Sequence, residues 1–530
     1  MLAFDYILLG IQAVFAGPTL LSVLGVPISI TVAMVLAGFI LGIAVGATPG
    51  LAGPVAMAIS LPLLISAFGY DPSALLPVMG FLIGIMKGAT IGGAVPAILF
   101  NTPGTPDAFM TTLDGFPMAN RGQAKKALKV AHLSSASGDT FSDLVLFVCA
   151  PFLAIVVEAY LDLPEKAALL ILSLAFIAAV IGGSPWKGLI STGLGLLAVY
   201  VGTGEDFYPR LSMDTDALAR GFPITTAVLG VLILGAVFKG LEECLHEARA
   251  PGTQTLSAQS SDQALHWADI RRLAPYIGRS AIIGTLIGAL PGIGSTLAAT
   301  LGYTVGKARY QKAKPPGAPE FGEGAMEGIA ATEAANSSVS GANLIPVLSL
   351  GIPGNAAAVF LILAAESIGG FNPGPAVFRF TADTVNPELV IAFGLFTTMV
   401  LANILNWTVG GVFMRAMGVM IRIPKVYLLP VVLLLTLTAI YVQETRLVAI
   451  WFALGFGVLG YVMRSLGISP LPFVIAFILG EKLEATARQA YSATGQDPFF
   501  LFSSVTAATL MCAAIGIVVF TTYQQRRSPK

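Results

Sequence analysis

Long apolar runs, divided by short polar turns, fill this chain from end to end. They fall at 26–47, 51–68, 75–100, 141–157, 167–181, 189–201 and 222–238, then at 280–303, 340–365, 389–413, 426–442, 447–463, 466–479 and 500–520. Most approach the roughly 20 residues that a helix needs to cross a bilayer. The pattern predicts an all-α polytopic membrane protein of about 12 transmembrane helices. One run breaks the pattern. Residues 324–355 carry two carboxylates, three asparagines and several hydroxyls among Ala, Gly and Val. Polar groups are costly in lipid, so this stretch is expected to face a protein interior or a water-filled cavity.

The positions of Lys and Arg orient the spans. Basic loops at 121–129, 239–279, 307–314, 415–425 and 526–530 are expected in the cytoplasm, and the intervening loops at 158–165 and 205–216 are acidic. Segment 242–263, with Pro251, Gly252 and a Ser/Gln run, reads as a flexible linker. It divides the chain into a first transmembrane repeat with an N-terminal helix (1–250) and a second with the C-terminal helices (251–530).

Composition narrows the class. Of 530 residues, 55% are hydrophobic and only 11% charged. Lys plus Arg equals Asp plus Glu at 29 each, so no global charge points to nucleic acid. The apolar start carries Asp5 and no basic residue before it, unlike a secretory signal, and reads as part of the mature chain. Cys149, Cys244 and Cys512 and His132, His246 and His266 are dispersed without metal-ligand spacing. No catalytic constellation and no cofactor are expected.

The halves echo each other. Gly46-Ala-Thr-Pro-Gly-Leu is matched by Gly288-Ala-Leu-Pro-Gly-Ile, each between two apolar runs. Pro96, followed seven residues later by Pro103-Gly104, is matched by Pro346, followed seven later by Pro353-Gly354. The flanking charges have opposite sense. Basic residues follow the second Pro-Gly in the first half, from Arg121 to Lys129, and the first Pro-Gly in the second half, from Lys307 to Lys314. The expectation is therefore two inverted-topology repeats with broken or re-entrant helices, as in secondary transporters that bind substrate at the repeat interface.

Pro removes a backbone donor and Gly allows angles that other residues avoid, so Pro-Gly in an apolar run breaks a helix. A helix restarting after the break presents free N–H groups suited to an anion. The candidate substrate and ion residues are Thr48, Pro49 and Gly50; Asn101, Thr102, Pro103, Gly104 and Thr105; Pro291, Gly292, Ser295 and Thr296; and Pro353, Gly354 and Asn355. Coupling or charge-pairing candidates are Lys87, Asp107, Glu333 and Asn336. Lys87, in mid-run, is expected either to attract an anionic substrate, to pair with a carboxylate such as Asp107 or Glu333, or to snorkel to an interface. Glu333, Asn336, Ser337 and Ser340 share one helical face, with Glu327 off it. A carboxylate there suits cation coupling or helix anchoring better than contact with an anion. Asp114-Gly115 with Pro117 and the basic run from Arg121 reads as a turn leading into a cytoplasmic helix start, with a capping and interface role.

The segments GATPGLAGPVAMAISLPL, AILFNTPGTPDAFMTTLDGFPMANRGQAKKAL, GALPGIGSTLAA and EGIAATEAANSSVSGANLIPVLSLGIPGNAA resemble the large membrane subunit of the tripartite tricarboxylate transporter family. By motif the resemblance runs from about Gly42 to about Leu363. It departs from the family pattern at Lys87 and Ile91, where aromatic residues are common, and at Asp107, where a small residue is usual. The resemblance implies a bacterial inner-membrane symporter that imports citrate or a related organic carboxylate on a cation gradient. Its partners would be a small four-helix membrane subunit and a periplasmic substrate-binding protein. The coupling ion would be Na+ or H+, with no ligands assigned to a Na+ site. A cation/proton antiporter is the alternative within transport, and an integral-membrane enzyme the alternative outside it.

Overall fold

The computed structural model describes residues 3–23, 26–48, 51–181, 184–203, 209–211, 218–219, 221–247, 264–291, 294–313, 317–380, 384–416 and 425–527. The first half holds α1 (Ala3–Phe15), a hairpin of β1 (Thr19–Val23) and β2 (Val26–Ser29), α2 (Ile30–Gly46), α3 (Gly53–Phe68), α4 (Leu75–Phe100), α5 (Phe109–Met118) and α6 (Ala124–Tyr160). Next come α7 (Leu163–Ile181), α8 (Pro185–Val199), the short strands β3 (Gly202–Thr203) and β4 (Pro209–Arg210), α9 (Ile224–Leu229) and α10 (Gly235–Glu247). The second half holds α11 (Trp267–Gly288), α12 (Gly294–Ala313), α13 (Met326–Ala342), α14 (Leu344–Leu350), α15 (Ala356–Ile368), α16 (Pro387–Leu405) and α17 (Gly411–Ala416). The chain closes with α18 (Lys425–Glu444), α19 (Leu447–Ser465), α20 (Leu471–Ala493) and α21 (Val505–Arg527).

By length and composition, 7 helical stretches among the described residues can cross a membrane, and shorter apolar helices include Ile30–Gly46, Gly53–Phe68 and Ala356–Ile368. The helical, polytopic character is as the apolar runs predict. Two local readings change. Run 26–47 begins as a β-hairpin, because Ser29 starts α2 late by accepting the Val32 N–H at 3.2 Å. The basic segment 121–129 is a kink at Gly122 followed by the first turns of α6, rather than a loop throughout. α5 runs through Asp114-Gly115, and a kink at Gly122, φ +79°, separates it from α6.

The chain forms two compact units, each drawing on both halves. Unit 1 holds 1–152, 247–290 and 294–428; unit 2 holds 153–246, 291–293 and 429–530. Within unit 2, α7, α8, α20 and α21 pack together, as do α9 and α19. A π turn at Gly230–Leu234 frees carbonyls there, and the Arg464 guanidinium donates to Val231 O and Leu232 O, both at 2.8 Å. Helical carbonyls thus take the place of a carboxylate partner for this arginine.

Unit 1 is organised by glycines spaced four apart. Gly38, Gly42 and Gly46 on α2 lie against the backbone of Phe81, Ile85 and Ala89 on α4; Gly84, Gly88 and Gly92 on α4 lie against Val35, Phe39 and Ile43 on α2. A Cβ at any of the six would strike backbone on the facing helix. With no hydrophobic drive between helices in lipid, such stripes are how two helices gain close packing. The second half repeats the device, with Gly284 and Gly288 on α11 against Ala335 and Val339 on α13. Gly46 and Gly288, the first residues of the matched sequence motifs, do the same job.

Gly88→Val drives a side chain into Phe39 O on α2 and is expected to destabilise by about 3 kcal/mol or more. Gly278→Ala, at a helical position with open space, should be neutral or stabilising by up to about 1 kcal/mol. Thermal unfolding midpoints of the purified protein check both.

Candidate functional site

The helix breaks are present where they are described, and they match between halves at the level of individual hydrogen bonds. α4 ends at Asn101, which takes the left-handed φ of +52°, and the Thr102 N–H donates back to Pro96 O at 3.3 Å. α14 ends at Gly351, φ +70°, and the Ile352 N–H donates to Pro346 O at 3.2 Å. Both are Schellman caps set at the same offset from a helical proline. At the other pair, Ala47 and Thr48 donate to Ile43 O and Val45 O, while Ala289 and Leu290 donate to Thr285 O and Ile287 O, again at equal offsets. Pro49, Gly50 and Gly292 lie outside the described residues.

The elements that follow the breaks interlock across the halves. Asp107, in the short turn that restarts the chain after the Asn101 break, accepts a hydrogen bond from Thr296 in the first turn of α12 at 2.6 Å. Reciprocally, α15, which follows the Gly351 break, packs on α3 and α4. Gly104 lies on Gly46 O, so both first-half breaks adjoin, and Gly354 lies beside Asn343. The other predicted residues serve the breaks themselves. Thr48 donates to Ala44 O and Thr102 to Phe100 O, while Asn355 caps α15 by accepting the Ala358 N–H at 2.9 Å. Pro353 is buried beside Gly354, Pro103 and Ser295 are half-buried, and Pro291 follows α11.

Several polar side chains in this region are buried with no partner of their own. Thr105 Oγ1, Ser337 Oγ and both side-chain heteroatoms of Asn336 and of Asn343 make no hydrogen bond. An unsatisfied buried amide costs about 1–3 kcal/mol, so such a group calls for an explanation such as a ligand. Asn343 was not singled out in the sequence, although it lies within the polar run at 324–355. Its signal was available: an amide between two apolar helical segments, eight residues before Gly351.

The charged residues divide into separate assemblies. The face of α13 predicted from spacing exists and meets α6 and α5: Glu333 accepts from Ser135 at 3.0 Å and from Thr111, and Ser340 donates to Asp139. Lys87 pairs with neither Asp107 nor Glu333. Its ammonium is fully buried between Asp139, at 3.2 Å, and Asp143, at 2.9 Å, both on α6, and Asn403 Nδ2 on α16 donates to Asp143 at 2.7 Å. Asp139 and Asp143 were missed in the sequence, where an i, i+4 carboxylate pair at the start of an apolar run was the available sign. Glu327, off that face, pairs with Arg272. Asp114 acts as a cap, though not in a turn. Its Oδ1 accepts the N–H groups of Gly322, Gly324 and Ala325 at 2.8–2.9 Å, which holds α5 to the entry of α13.

Sequence comparisons match this chain to a known family and to curated relatives. A model of the tripartite tricarboxylate transporter TctA family matches residues 32–475. An uncharacterized 52.8 kDa protein in the TAR-I ttuC' 3'region of Agrobacterium vitis is 30% identical over 500 residues, 93% of each chain. An uncharacterized protein in the TAR-II ttuC' 3'region of the same organism is 30% identical over 251 residues, 47% of this chain and 97% of that one. A solved manganese transporter mutant from Eremococcus coleocola, 14% identical and covering 84% of this chain and 95% of its own, has a TM-score of 0.13, too low to bear on the fold.

Asp114→Ala leaves three backbone donors without their acceptor and is expected to lower stability by about 3 kcal/mol. Asp114→Asn keeps an oxygen there and should lose less. Thermal midpoints, together with the rate of tryptic cleavage between α12 and α13, check the order.

Proposed function

The chain belongs to the tripartite tricarboxylate transporter TctA family as its large membrane subunit, and we propose that it imports tricarboxylates or related organic carboxylates on a cation gradient. The observation that carries this reading is the set of buried, unpartnered hydroxyl and amide groups beside paired helix breaks. Interrupted helices offer free backbone N–H groups and dipole ends to a carboxylate, and side-chain amides add neutral donors without repelling it. Neutral recognition of this kind suits an anion that must leave again.

In this reading the matched caps at Asn101 and Gly351 mark two inverted repeats, residues 1–250 and 251–530, that supply about 12 spans. Substrate lies near Thr105, Thr296, Asn336, Asn343 and Asn355, with Na+ or H+ as the coupling ion. A periplasmic binding protein delivers it and a small four-helix subunit completes the complex in the bacterial inner membrane. The chain performs transport and no chemical conversion. An antiporter would also use buried carboxylates, and protons or sodium moved by the purified protein without any organic anion would favour it.

The test is uptake of labelled citrate and of smaller dicarboxylates into proteoliposomes holding this chain, its small subunit and its binding protein. Asn343→Leu removes a buried amide that has no partner, so it should raise the thermal midpoint of the empty protein while cutting uptake about tenfold or more. Asn355→Ala should cut uptake as well. Full uptake in both variants would remove the breaks from the site.

A further inference from the structure

We propose that the cluster of Lys87, Asp139 and Asp143 is a proton-binding site, with the proton carried on Asp139 Oδ2. The inference deepens the transport reading and rests on it for its role in coupling, because it names the coupling ion and the place where that ion binds.

Charge balance comes first. Two carboxylates and one ammonium, all within spanning helices and 0–2% exposed, leave one negative charge. Burial of an uncompensated charge is costly, so a further positive charge is called for. Among the described side chains, the other charged groups of unit 1 named on the helices packed here are engaged elsewhere or lie apart. α2 and α3 carry none. On α5 and α13, Asp114 holds the backbone before α13 and Glu327 pairs with Arg272. Glu333 is bound by Thr111 and Ser135. On α16, Glu388 stands in the first turn and accepts the Asn372 N–H, and Glu366 stands in the last turn of α15. His132, two turns before Asp139 on α6, donates from Nε2 to Asn406 O at 2.9 Å.

The hydrogen-bond inventory then locates the missing charge. Asp139 Oδ1 accepts from Lys87 and Ser340; Asp143 Oδ1 accepts from Lys87, and Asp143 Oδ2 from Asn403 with Lys87 close by. Asp139 Oδ2 is buried and accepts from nothing, and Asn403 Oδ1 is a second buried acceptor without a donor. The cluster lacks a hydrogen as well as a charge, and one proton supplies both: a neutral carboxyl group needs no counter-ion and brings a donor.

The surroundings favour a proton over a metal cation. The ammonium already occupies the space between the carboxylates. α13 closes over the cluster at Gly341, where a Cβ would strike Asp143 and Ser142. α6 likewise meets α13 at Gly138, against Ala334. Sodium would need several oxygen ligands in space that backbone fills. A proton needs none.

The connection to the breaks is direct. Lys87 stands on α4, which ends in the Asn101 cap, and Ser340 stands in the last turn of α13, two residues before its end at Ala342 and ahead of Asn343 and α14. Asp139 therefore ties α4, which ends at the Asn101 break, to α13, which continues through α14 to the Gly351 break, and Glu333 is bound by Ser135 one turn away on α6. Adding a proton to Asp139 changes the cluster from net negative to neutral and weakens its hold on Lys87 and Ser340.

Infrared difference spectra of the purified full chain between mildly acidic and alkaline pH test the proton without any substrate. The expected result is the carbonyl stretch of a protonated carboxylic acid that titrates in the wild type and is absent in Asp139→Asn, whose remaining Lys87–Asp143 pair is already neutral. A titrating band from Glu333, buried with hydroxyl partners alone, is subtracted with Glu333→Gln; a set of titrating bands that is the same in Asp139→Asn as in the wild type, or no titrating band in the wild type, overturns the assignment. Lys87→Gln leaves two carboxylates and no cation, so it should bind one proton more, and an unchanged band there overturns it as well. Coupling is read in the proteoliposomes: an inward proton gradient without Na+ should drive citrate accumulation, and Asp139→Asn should reduce it at least about tenfold. Exchange of internal for external citrate, which moves no net proton, should fall less. Uptake that follows Na+ and ignores the pH gradient overturns the coupling role. A wild type that neither accumulates nor exchanges citrate defeats the transport reading instead, and the infrared band still decides whether the proton is there.

Discussion

An ammonium in the interior of a membrane protein must find oxygen within about 3 Å, because neither lipid nor packed side chains solvate it. Lys87 meets that demand with Asp139 and Asp143, and much of unit 1 follows from it. The two carboxylates fix the face that α6 turns toward α4, Asn403 brings α16 to the same point, and Ser340 brings α13. Removing one partner from such a buried pair costs about 3–5 kcal/mol, although the pair itself adds little net stability over apolar packing. Its effect is on specificity: each of the four helices is held in one rotation and one register. The glycine stripes of α2 and α4 act in the same sense by other means. They bring backbone to backbone, and a shift along either helix would place a side chain where only a hydrogen fits.

Around this ordered centre the helix breaks look less like defects than like exits from regular hydrogen bonding that the chain controls closely. A broken helix in an apolar setting must account for every freed N–H and C=O. At Asn101 and Gly351 the left-handed residue and the return bonds to Pro96 O and Pro346 O do this locally, with the same geometry in both halves. What the local caps leave over are side chains: Thr105, Asn336, Ser337 and Asn343. Helix ends held by their caps, with neutral side chains still unpartnered beside them, are the combination expected of a site that must hold its shape while empty.

Much of this was legible in the sequence, and the reason differs from feature to feature. Helix content follows from the apolar runs, since lipid leaves the backbone few alternatives. The Pro96 and Pro346 echoes were legible because a Schellman cap is a local device, written in residues close together in the chain. The polar face of α13 was legible because helical periodicity depends only on spacing. The partners of Lys87 were not. Asp139 and Asp143 lie 52 and 56 residues away, and the choice between them and Asp107 or Glu333 depends on which face of α6 meets α4. Asp107 and Glu333 look equally suitable as charges, but Thr296, Thr111 and Ser135 already engage them. The helix start at the basic run was legible because Gly and Pro mark a stop before it, and the chain does kink there, at Gly122 with φ +79°, but it kinks after α5 has already carried Asp114-Gly115 in a helix.

The separation of neutral and charged groups has a physical logic. An anionic substrate repels carboxylates, so a site for it is best built from amides, hydroxyls and backbone dipoles, as beside the breaks. A coupling cation needs a negative group, which must then stand away from the substrate yet move with it. The helices α4 and α13 satisfy both demands, since each carries a cluster residue, Lys87 or Ser340, and α4 ends at the Asn101 break while α13 continues through α14 to the Gly351 break. A change of one charge at Asp139 alters the forces on both helices at once, while the hydroxyl and amide groups proposed to meet the substrate remain electrically neutral. Coupling by this route needs no contact between the ion and the substrate. It needs only that the same two helices bear on both.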